Sequence, residues 1–485
     1  MDSTLFPPPS IEWPLLLPLL VVVGTGVIVL LWDLFVPHRN HVMHAWLSVA
    51  GLGAAAYFSV LSWARPDATT FAGALTHDRL SVIANLLLIG ATALSVMFAD
   101  AYLRERKANY GEFYPLALWA TAGAMLMVST TDLIVLFLGL ETLSVALYVL
   151  SGMCRGDRRS DEAAIKYFLL GAFASGFLLF GMAMIYGGTG TSRLEDIATA
   201  WMIGDRSIRI FLTAGITLML VGLGFKAALV PFHWWTPDVY HGAPTSVTAY
   251  MAAVAKTAAF VTLIRVLGAA VPLQDVWSPI LTTLALLTMT FGNLWALAQN
   301  DVKRMLAYSS IAHAGYMLVG VLAGDVGAVV YYLVAYSLMT VGSFAVVGLT
   351  ARGGKESSSY GDLRGLWKRA PFAALMLLVL LVSLAGIPPT AGFWGKWFLF
   401  LAALRTDMIG LAIVLAVNSI VSVYYYLRLV LSMYVEEELV ESTRPPAMSA
   451  GLALATLACA AGVIYVGLTA GSLQRLFTMP MVGGS

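Results

Sequence analysis

The sequence predicts an all-α polytopic membrane protein of about fourteen transmembrane helices. Three observations predict it: the composition, the recurrence of long apolar runs, and the uneven distribution of basic residues between alternate loops. Of the 485 residues, 59% are hydrophobic and only 11% charged, against roughly 25% charged in soluble domains, and the mean hydropathy is +0.83. A spanning helix needs about 20 mostly apolar residues. Such runs fill 13–35, 42–62, 78–99, 113–129, 132–152, 163–187 and 209–230 in the first half. They continue with 245–268, 277–298, 303–323, 327–350, 371–404 with a break inside it, 408–434 and 447–470. The polar gaps are too short for a soluble domain; the longest lie at about 188–208 and 351–370.

Lys and Arg in short loops mark the cytoplasmic side of a membrane protein. One set of alternate loops carries Arg39, Arg104, Arg106, Lys107, Arg155, Arg158, Arg159, Lys303, Arg304, Arg352, Lys355, Arg364, Lys368, Arg369 and Arg444. The opposite set carries Arg65, Arg79, Arg193, Arg206, Arg209, Arg265, Arg405 and Arg475. With an even number of spans, this bias puts both termini outside the cytoplasm. Met1 to Glu12 holds two acids, no Lys or Arg and three prolines, so it lacks the basic region of a cleavable signal peptide, and the first run is expected to remain as a helix.

A net charge of +1 without a clustered basic face excludes nucleic acid as a partner. Cys154 and Cys459, the only cysteines, give neither a disulfide framework nor an iron–sulfur or zinc pattern and read as small residues among helices. No phosphate-binding loop, dinucleotide fingerprint or nucleophile elbow occurs; Gly353-Gly-Lys355 lacks the required spacing.

Removing the loop charges leaves Glu141, Lys166, Lys226, Lys256, His313, Lys396 and Arg428 inside the predicted spans. A charge at a helix centre costs about 2.5 to 3.5 kcal/mol on insertion scales, so several in one chain imply an internal polar path or an internal ion-pair network. Glu141 lies among apolar neighbours in Phe137-Leu-Gly-Leu-Glu-Thr-Leu-Ser144 and needs a partner or a proton; a structural buried pair is its bland alternative. Lys226, in Gly224-Phe-Lys-Ala-Ala-Leu-Val-Pro231, precedes a proline that disturbs the backbone ladder. Snorkelling to an interface suits Lys166, near the start of its span, better than Lys226 or Lys256. Lys256 is near mid-span and is the hardest to explain as structural. Lys396 follows Ser383-Leu-Ala-Gly-Ile-Pro-Pro-Thr-Ala-Gly392, which cannot continue a regular helix; irregular backbone at membrane depth must be buried in protein or line a wet cavity. Two lysines beside breaks, in matching helices of two halves, are the sequence pointer to an inverted-repeat transporter.

His313, in Tyr308-Ser-Ser-Ile-Ala-His313, has two ring nitrogens suited to a proton relay. A lone histidine more often hydrogen-bonds a neighbouring helix, but this one falls on the second-half helix corresponding to that of Glu141. His233, Asp238 and His241 follow the first break without the spacing of a metal motif, so hydrogen-bonded structure or a proton uptake route is the better reading and no metal site is expected.

Three strings carry a resemblance. Gly224-Phe-Lys-Ala-Ala-Leu-Val-Pro-Phe-His-Trp-Trp-Thr-Pro-Asp238, Asn300-Asp-Val-Lys-Arg-Met-Leu-Ala-Tyr-Ser-Ser-Ile-Ala-His-Ala-Gly315 and Leu384-Ala-Gly-Ile-Pro-Pro-Thr-Ala-Gly-Phe-Trp-Gly-Lys396 resemble the proton-conducting antiporter family shared by respiratory complex I and Mrp cation/proton antiporters. The resemblance covers roughly 110–435 and is looser in the first hundred residues. Within it, Glu162-Ala-Ala-Ile-Lys-Tyr-Phe-Leu-Leu-Gly-Ala-Phe-Ala-Ser175, Asn418-Ser419 and Tyr424-Tyr-Tyr-Leu-Arg428 look like the subunit N branch of bacterial NADH–quinone oxidoreductase (NDH-1). Lys396 stands where subunit M has glutamate, and the chain ends without the lateral extension of subunit L.

The resemblance implies two inverted five-helix repeats, about 113–268 and 277–434, flanked by three N-terminal helices in 1–112 and a last helix and tail in 435–485. It implies that Glu141 pairs with Lys226, that Lys256 and His313 continue a central axis, and that Lys396 leads to the exit. It implies no cofactor in this chain; FMN, iron–sulfur clusters and quinone belong to partner subunits. It also implies the bacterial inner membrane as location, with antiporter-like subunits M and L and small subunits K, J and A as partners. Two other readings compete: an Mrp-type cation/proton antiporter subunit without a redox partner, and an assembly subunit whose charges only hold helices together.

Overall fold

A computed structural model describes residues 11–35, 41–351, 356–434 and 448–478. The first half contains α1 (Trp13–Asp33), α2 (Val42–Ser62), α3 (Arg79–Glu105), α4 (Phe113–Val128), α5 (Leu133–Ser151), α6 (Arg158–Thr189), α7 (Asp196–Ile203), α8 (Arg206–Ala227), α9 (Trp235–Gly242), α10 (Thr245–Tyr250) and α11 (Lys256–Ala269). The second contains α12 (Gln274–Leu297), α13 (Val302–Leu322), α14 (Val326–Val347), α15 (Tyr360–Leu363), α16 (Leu366–Arg369), α17 (Pro371–Ala385), α18 (Ala391–Arg405), α19 (Ile409–Tyr434), α20 (Ala450–Leu468) and α21 (Ala470–Phe477).

Acidic residues that the apolar spans cannot hold sit at the helix starts. Asp78, Asp132, Asp157, Asp205, Asp301 and Asp325 each accept a hydrogen bond from a first-turn N–H, as does Ser449. Those N–H groups have no partner within the helix, and a capping side chain contributes about 1 kcal/mol. Among the described residues, twelve helical stretches are long and apolar enough to cross a membrane, and two shorter apolar helices, α4 and α17, complete the fourteen expected. The loop at 188–208 holds the helix α7, and Ala68–Thr70 pairs antiparallel with Leu75–His77 in a small hairpin between α2 and α3. Four of the basic residues used to orient the chain, Arg39, Arg352, Lys355 and Arg444, lie outside the described residues, as do Met1 to Ser10.

The same packing partners recur along the chain. α4 packs on α5 as α12 does on α13, α5 on α6 as α13 on α14, α6 on α8 as α14 on α17, and α4 on α11 as α12 on α19. Each set makes five crossings, an odd number, so the second set enters the membrane from the face opposite the first. Lipid supplies no hydrophobic drive between helices, so close approach depends on small residues. In the α4–α5 pair, a Cβ on Gly123 would lie 2.7 Å from the carbonyl oxygen of Gly139, and one on Gly139 would lie 2.8 Å from that of Gly123. In the corresponding α12–α13 pair, a Cβ on Gly292 would lie 2.6 Å from the backbone nitrogen of Ala312. Gly139→Val is expected to cost about 1–3 kcal/mol by overpacking, read as a lower melting temperature of the detergent-solubilised chain; unchanged melting would show that the pair can part without loss.

Two crossings are broken. α8 ends at Ala228 in the left-handed region (φ 61°) and resumes as α9, while α17 ends at Gly386 (φ 85°) and resumes as α18. Both breaks contain a cis X–Pro bond, Val230–Pro231 and Pro388–Pro389. Between α10 and α11 the helix widens into one π turn, Met251–Ala255. The Thr245–Ala269 crossing is buried up to Leu267 and α13 nearly throughout; these two central crossings carry Lys256 and His313.

Candidate functional site

The breaks explain where the lysines sit. A helix C-terminus leaves carbonyls without partners and carries partial negative charge. Lys226 occupies the last turn of α8. Lys396, from α18, folds back over the end of α17 and donates to the carbonyl oxygens of Leu384 at 3.1 Å and Ala385 at 3.0 Å, and to Ser422 Oγ at 3.3 Å. Lys256 follows directly on the π turn, a distortion frequent at functional sites. Its Nζ donates to Ser310 Oγ at 2.6 Å and to the Ser310 carbonyl oxygen at 2.5 Å, and lies 5.2 Å from the centroid of the Tyr336 ring.

Lys226 Nζ donates to Ser144 Oγ at 2.8 Å and to the Tyr167 hydroxyl at 3.3 Å. Ser144 lies one turn after Glu141 on α5, and the Glu141 carboxylate accepts a 2.5 Å bond from Ser175 of α6. The Glu141–Lys226 pair expected from the resemblance is therefore not a contact ion pair in this structure: each partner is held by a serine, and the carboxylate acts on the ammonium only through space. A cavity of about 10 Å³ beside Lys226 is lined by Ser144, Ser175 and Lys226, about the minimum that admits a water.

From Lys226 a run of buried aromatic rings leads inward. Tyr167 stacks on Trp235 at 4.6 Å, Trp235 meets Tyr240 at 5.9 Å, and the Tyr240 hydroxyl faces Ser310, the partner of Lys256. Tyr336 also donates to Ser310 Oγ at 2.7 Å. His313 joins the next two hydroxyls, with Nδ1 2.6 Å from Tyr332 Oη and Nε2 2.9 Å from Tyr426 Oη. Tyr426 in turn is 2.6 Å from Ser309 Oγ. The Tyr316 ring lies 5.6 Å from the His313 ring and 5.4 Å from Lys396 Nζ.

Each of Lys226, Lys256, His313 and Lys396 is thus buried among hydroxyls and aromatic rings, while Glu141 has the exposed apolar neighbours Leu138 and Val145 on its helix. The serines and tyrosines between them escape a search for charges, because a hydroxyl at a helical position carries no insertion cost large enough to single it out. Their signal is a tyrosine or serine at the helix face of a known buried lysine, which appears only when the helices are assembled.

The other internal charges have different uses. Lys166 bonds Glu162 and Asp238, each at 2.6 Å, and is 40% exposed, as a snorkelling lysine should be. Arg428, inside α19, reaches the Gln299 carbonyl oxygen and Asn300 Oδ1 beyond the end of α12 and lies over the Tyr360 ring. His233, Asp238 and His241 do not converge: His233 stacks on Trp295, Asp238 is held by Lys166 and Arg304, and His241 lies 3.1 Å from Asp301. Burial pushes the Asp301 carboxyl up, but His241, Ser358 and the Arg304 N–H hold it below its ordinary value.

The family model described as "NADH:quinone oxidoreductase/Mrp antiporter, TM" matches residues 130–422. NADH-quinone oxidoreductase subunit N of Trichlorobacter lovleyi is 43% identical over 95% of this chain and 95% of its own length. The chain belongs to the subunit N family of NADH–quinone oxidoreductase. A chain of respiratory complex I from Thermus thermophilus, solved with bound aureothin, is 36% identical and superposes with a TM-score of 0.81 over 94% of this chain and 98% of that one. A chain of the Mrp complex from Dietzia superposes with a TM-score of 0.82, covering 96% of each. At 23% identity that second likeness speaks for the fold alone. The antiporter fold therefore extends beyond the subunit N family, and membership rests on the sequence relatives.

Proposed function

We propose that this chain, a multi-pass membrane subunit of NADH–quinone oxidoreductase, translocates protons along Glu141, Lys226, Lys256, His313 and Lys396. One observation carries the reading. Lys226, Lys256 and Lys396 are all buried, at 4%, 2% and 5% exposure, yet none has a carboxylate within 4.0 Å among the described residues. Buried charges that only hold helices together are paired, because an unpaired one is costly. These lysines bond hydroxyls and carbonyls instead. A hydroxyl both donates and accepts, so Ser144, Ser310 and Ser422 can satisfy an ammonium or an amine, and the site tolerates both protonation states.

Glu141 is the switch. When its carboxylate swings toward Lys226 the ammonium is held, and when it turns to Ser175 the proton is released toward Lys256 through Tyr240 and Ser310. Protonation of the pair is shared, so no single titration belongs to either residue. The path runs through two repeats, 113–268 and 277–434, flanked by 1–112 and 435–485. FMN, iron–sulfur clusters and quinone reside in partner subunits, and electron transfer there drives this chain conformationally or electrostatically. Antiporter-like subunits M and L and small subunits K, J and A are its neighbours in the inner membrane. The chain lies with both termini in the periplasm, a reading supported by the basic loops of Arg104, Arg106, Arg155 and Lys303 on the opposite face.

Glu141→Gln keeps the size and the Ser175 contact but removes the charge. NADH-driven proton pumping in membrane vesicles is expected to fall while the complex still assembles with its flavin and iron–sulfur subunits. Pumping at the wild-type level would remove Glu141 from the mechanism.

A further inference from the structure

The central axis leaves unused a second set of buried titratable groups, in the N-terminal bundle. Asp33 ends α1, His41 precedes α2 and His44 lies in its first turn, so the hairpin brings all three to one membrane face. Spacing of three residues puts both imidazoles on one side of the helix start, with ring centroids 4.7 Å apart. Asp33 Oδ1 is 2.9 Å from His44 Nε2 and 3.6 Å from His41 Nδ1, and one ligand atom from each residue lies within 4.8 Å of the others. Ligand atoms on a tetrahedral zinc, with bonds of about 2.0–2.1 Å, are about 3.3 Å apart.

Hydrogen bonding accounts for the cluster only in part, through the contact between Asp33 and His44. The two histidine side chains are 2% and 0% exposed, yet His41 Nδ1 and His44 Nδ1 lack a hydrogen-bond partner among the described residues, and Asp33 Oδ1 is the neighbour of His44 Nε2. Buried polar atoms almost always have partners. The neighbouring Tyr114 hydroxyl is likewise without one. Gly111 makes room for the carboxylate, since a Cβ there would stand 1.9 Å from Asp33 Oδ1. Asp100, buried and 2.5 Å from Arg104, adds negative charge that acts on both histidines.

We propose that Asp33, His41 and His44 form a three-ligand site for a divalent transition cation of the zinc class. Two imidazoles and one carboxylate suit a borderline metal such as Zn²⁺ or Co²⁺; Ca²⁺ and Mg²⁺ prefer all-oxygen sites. Three protein ligands leave a fourth position for water. The bound ion ties α1 to α2, the pair on which α4 also packs, and it occupies a part of the chain remote from the lysine axis.

The test uses the full chain in detergent, stripped with chelator and titrated with Co²⁺. One equivalent is expected to bind with the intense visible bands of four-coordinate cobalt, and Zn²⁺ is expected to displace it. His44→Ala and Asp33→Asn are each expected to weaken binding more than about a hundredfold, beyond what loss of an outer-shell partner costs. Absence of these bands in the wild-type chain overturns the proposal without recourse to any variant and leaves Asp33 and His44 as a structural polar pair. Binding that survives both substitutions overturns it as well, by placing the metal elsewhere.

Discussion

Lys226→Ala is expected to slow NADH-linked proton translocation through this subunit roughly a hundredfold, the low end of what a positioned proton-transfer group contributes, while the complex still assembles. The side chain is the only ionisable group in the last turn of α8, and it donates to Ser144 and to Tyr167, the first ring of the aromatic run. Alanine also leaves Ser144 and Tyr167 without that donor, but both hydroxyls can turn to each other or to water, so the fold should survive. Lys226→Arg is the more informative variant. Arginine keeps the positive charge but does not release its proton. A structural role predicts rescue by arginine; a proton-carrying role predicts that arginine fails as alanine does. The measurement is the ratio of protons pumped to NADH oxidised in sealed vesicles. Recovery by arginine would turn Lys226 into a positioning charge and move the relay elsewhere.

The second large effect concerns stability. Arg265→Ala is expected to destabilise the chain by about 3–5 kcal/mol, the cost of leaving one member of a buried ion pair alone. Arg265 and Asp78 are each 3% exposed. Their fork is bidentate, Nη1 to Oδ2 at 2.9 Å and Nη2 to Oδ1 at 2.8 Å, and Arg265 Nε also donates to the Val128 carbonyl oxygen at 2.7 Å. Asp78 meanwhile caps α3 through Ser81. One pair thus fastens α3, α4 and α11 at a single point. Asp78→Asn with Arg265→Met removes both charges and should recover most of the loss, because two well-packed neutral groups replace a desolvated pair. The melting temperature of the solubilised chain, with the amount reaching the membrane, reads both. Equal melting of Arg265→Ala and wild type would mean that Asp78 stays solvated despite its burial.

Arg265 also shows where sequence reading stopped. Lying at the end of its predicted span, it counted as a loop cation, although its partner Asp78 is 187 residues away. Arg428 was the converse case: it fell within a predicted span, yet it bonds the Gln299–Asn300 loop. One-dimensional position at a helix end does not distinguish a guanidinium turned outward from one turned inward. That distinction depends on which helix lies alongside.

The sequence by itself determined the crossings, the two breaks and the charges that lie in the middle of a span. Each follows from a local cost: about 20 apolar residues to span lipid, proline and glycine interrupting a helix, and a penalty for every charge at depth. Tertiary structure alone decided that Glu141 is held by Ser175 and Lys226 by Ser144 rather than by each other. It alone brought Tyr332 and Tyr426 to His313, and placed Asp33, His41 and His44 within reach of one ion. The physical reason is range. Hydropathy and backbone geometry act over a single helix, whereas a hydrogen bond needs its two atoms within about 3 Å. Only the packing of helices remote in sequence sets those distances.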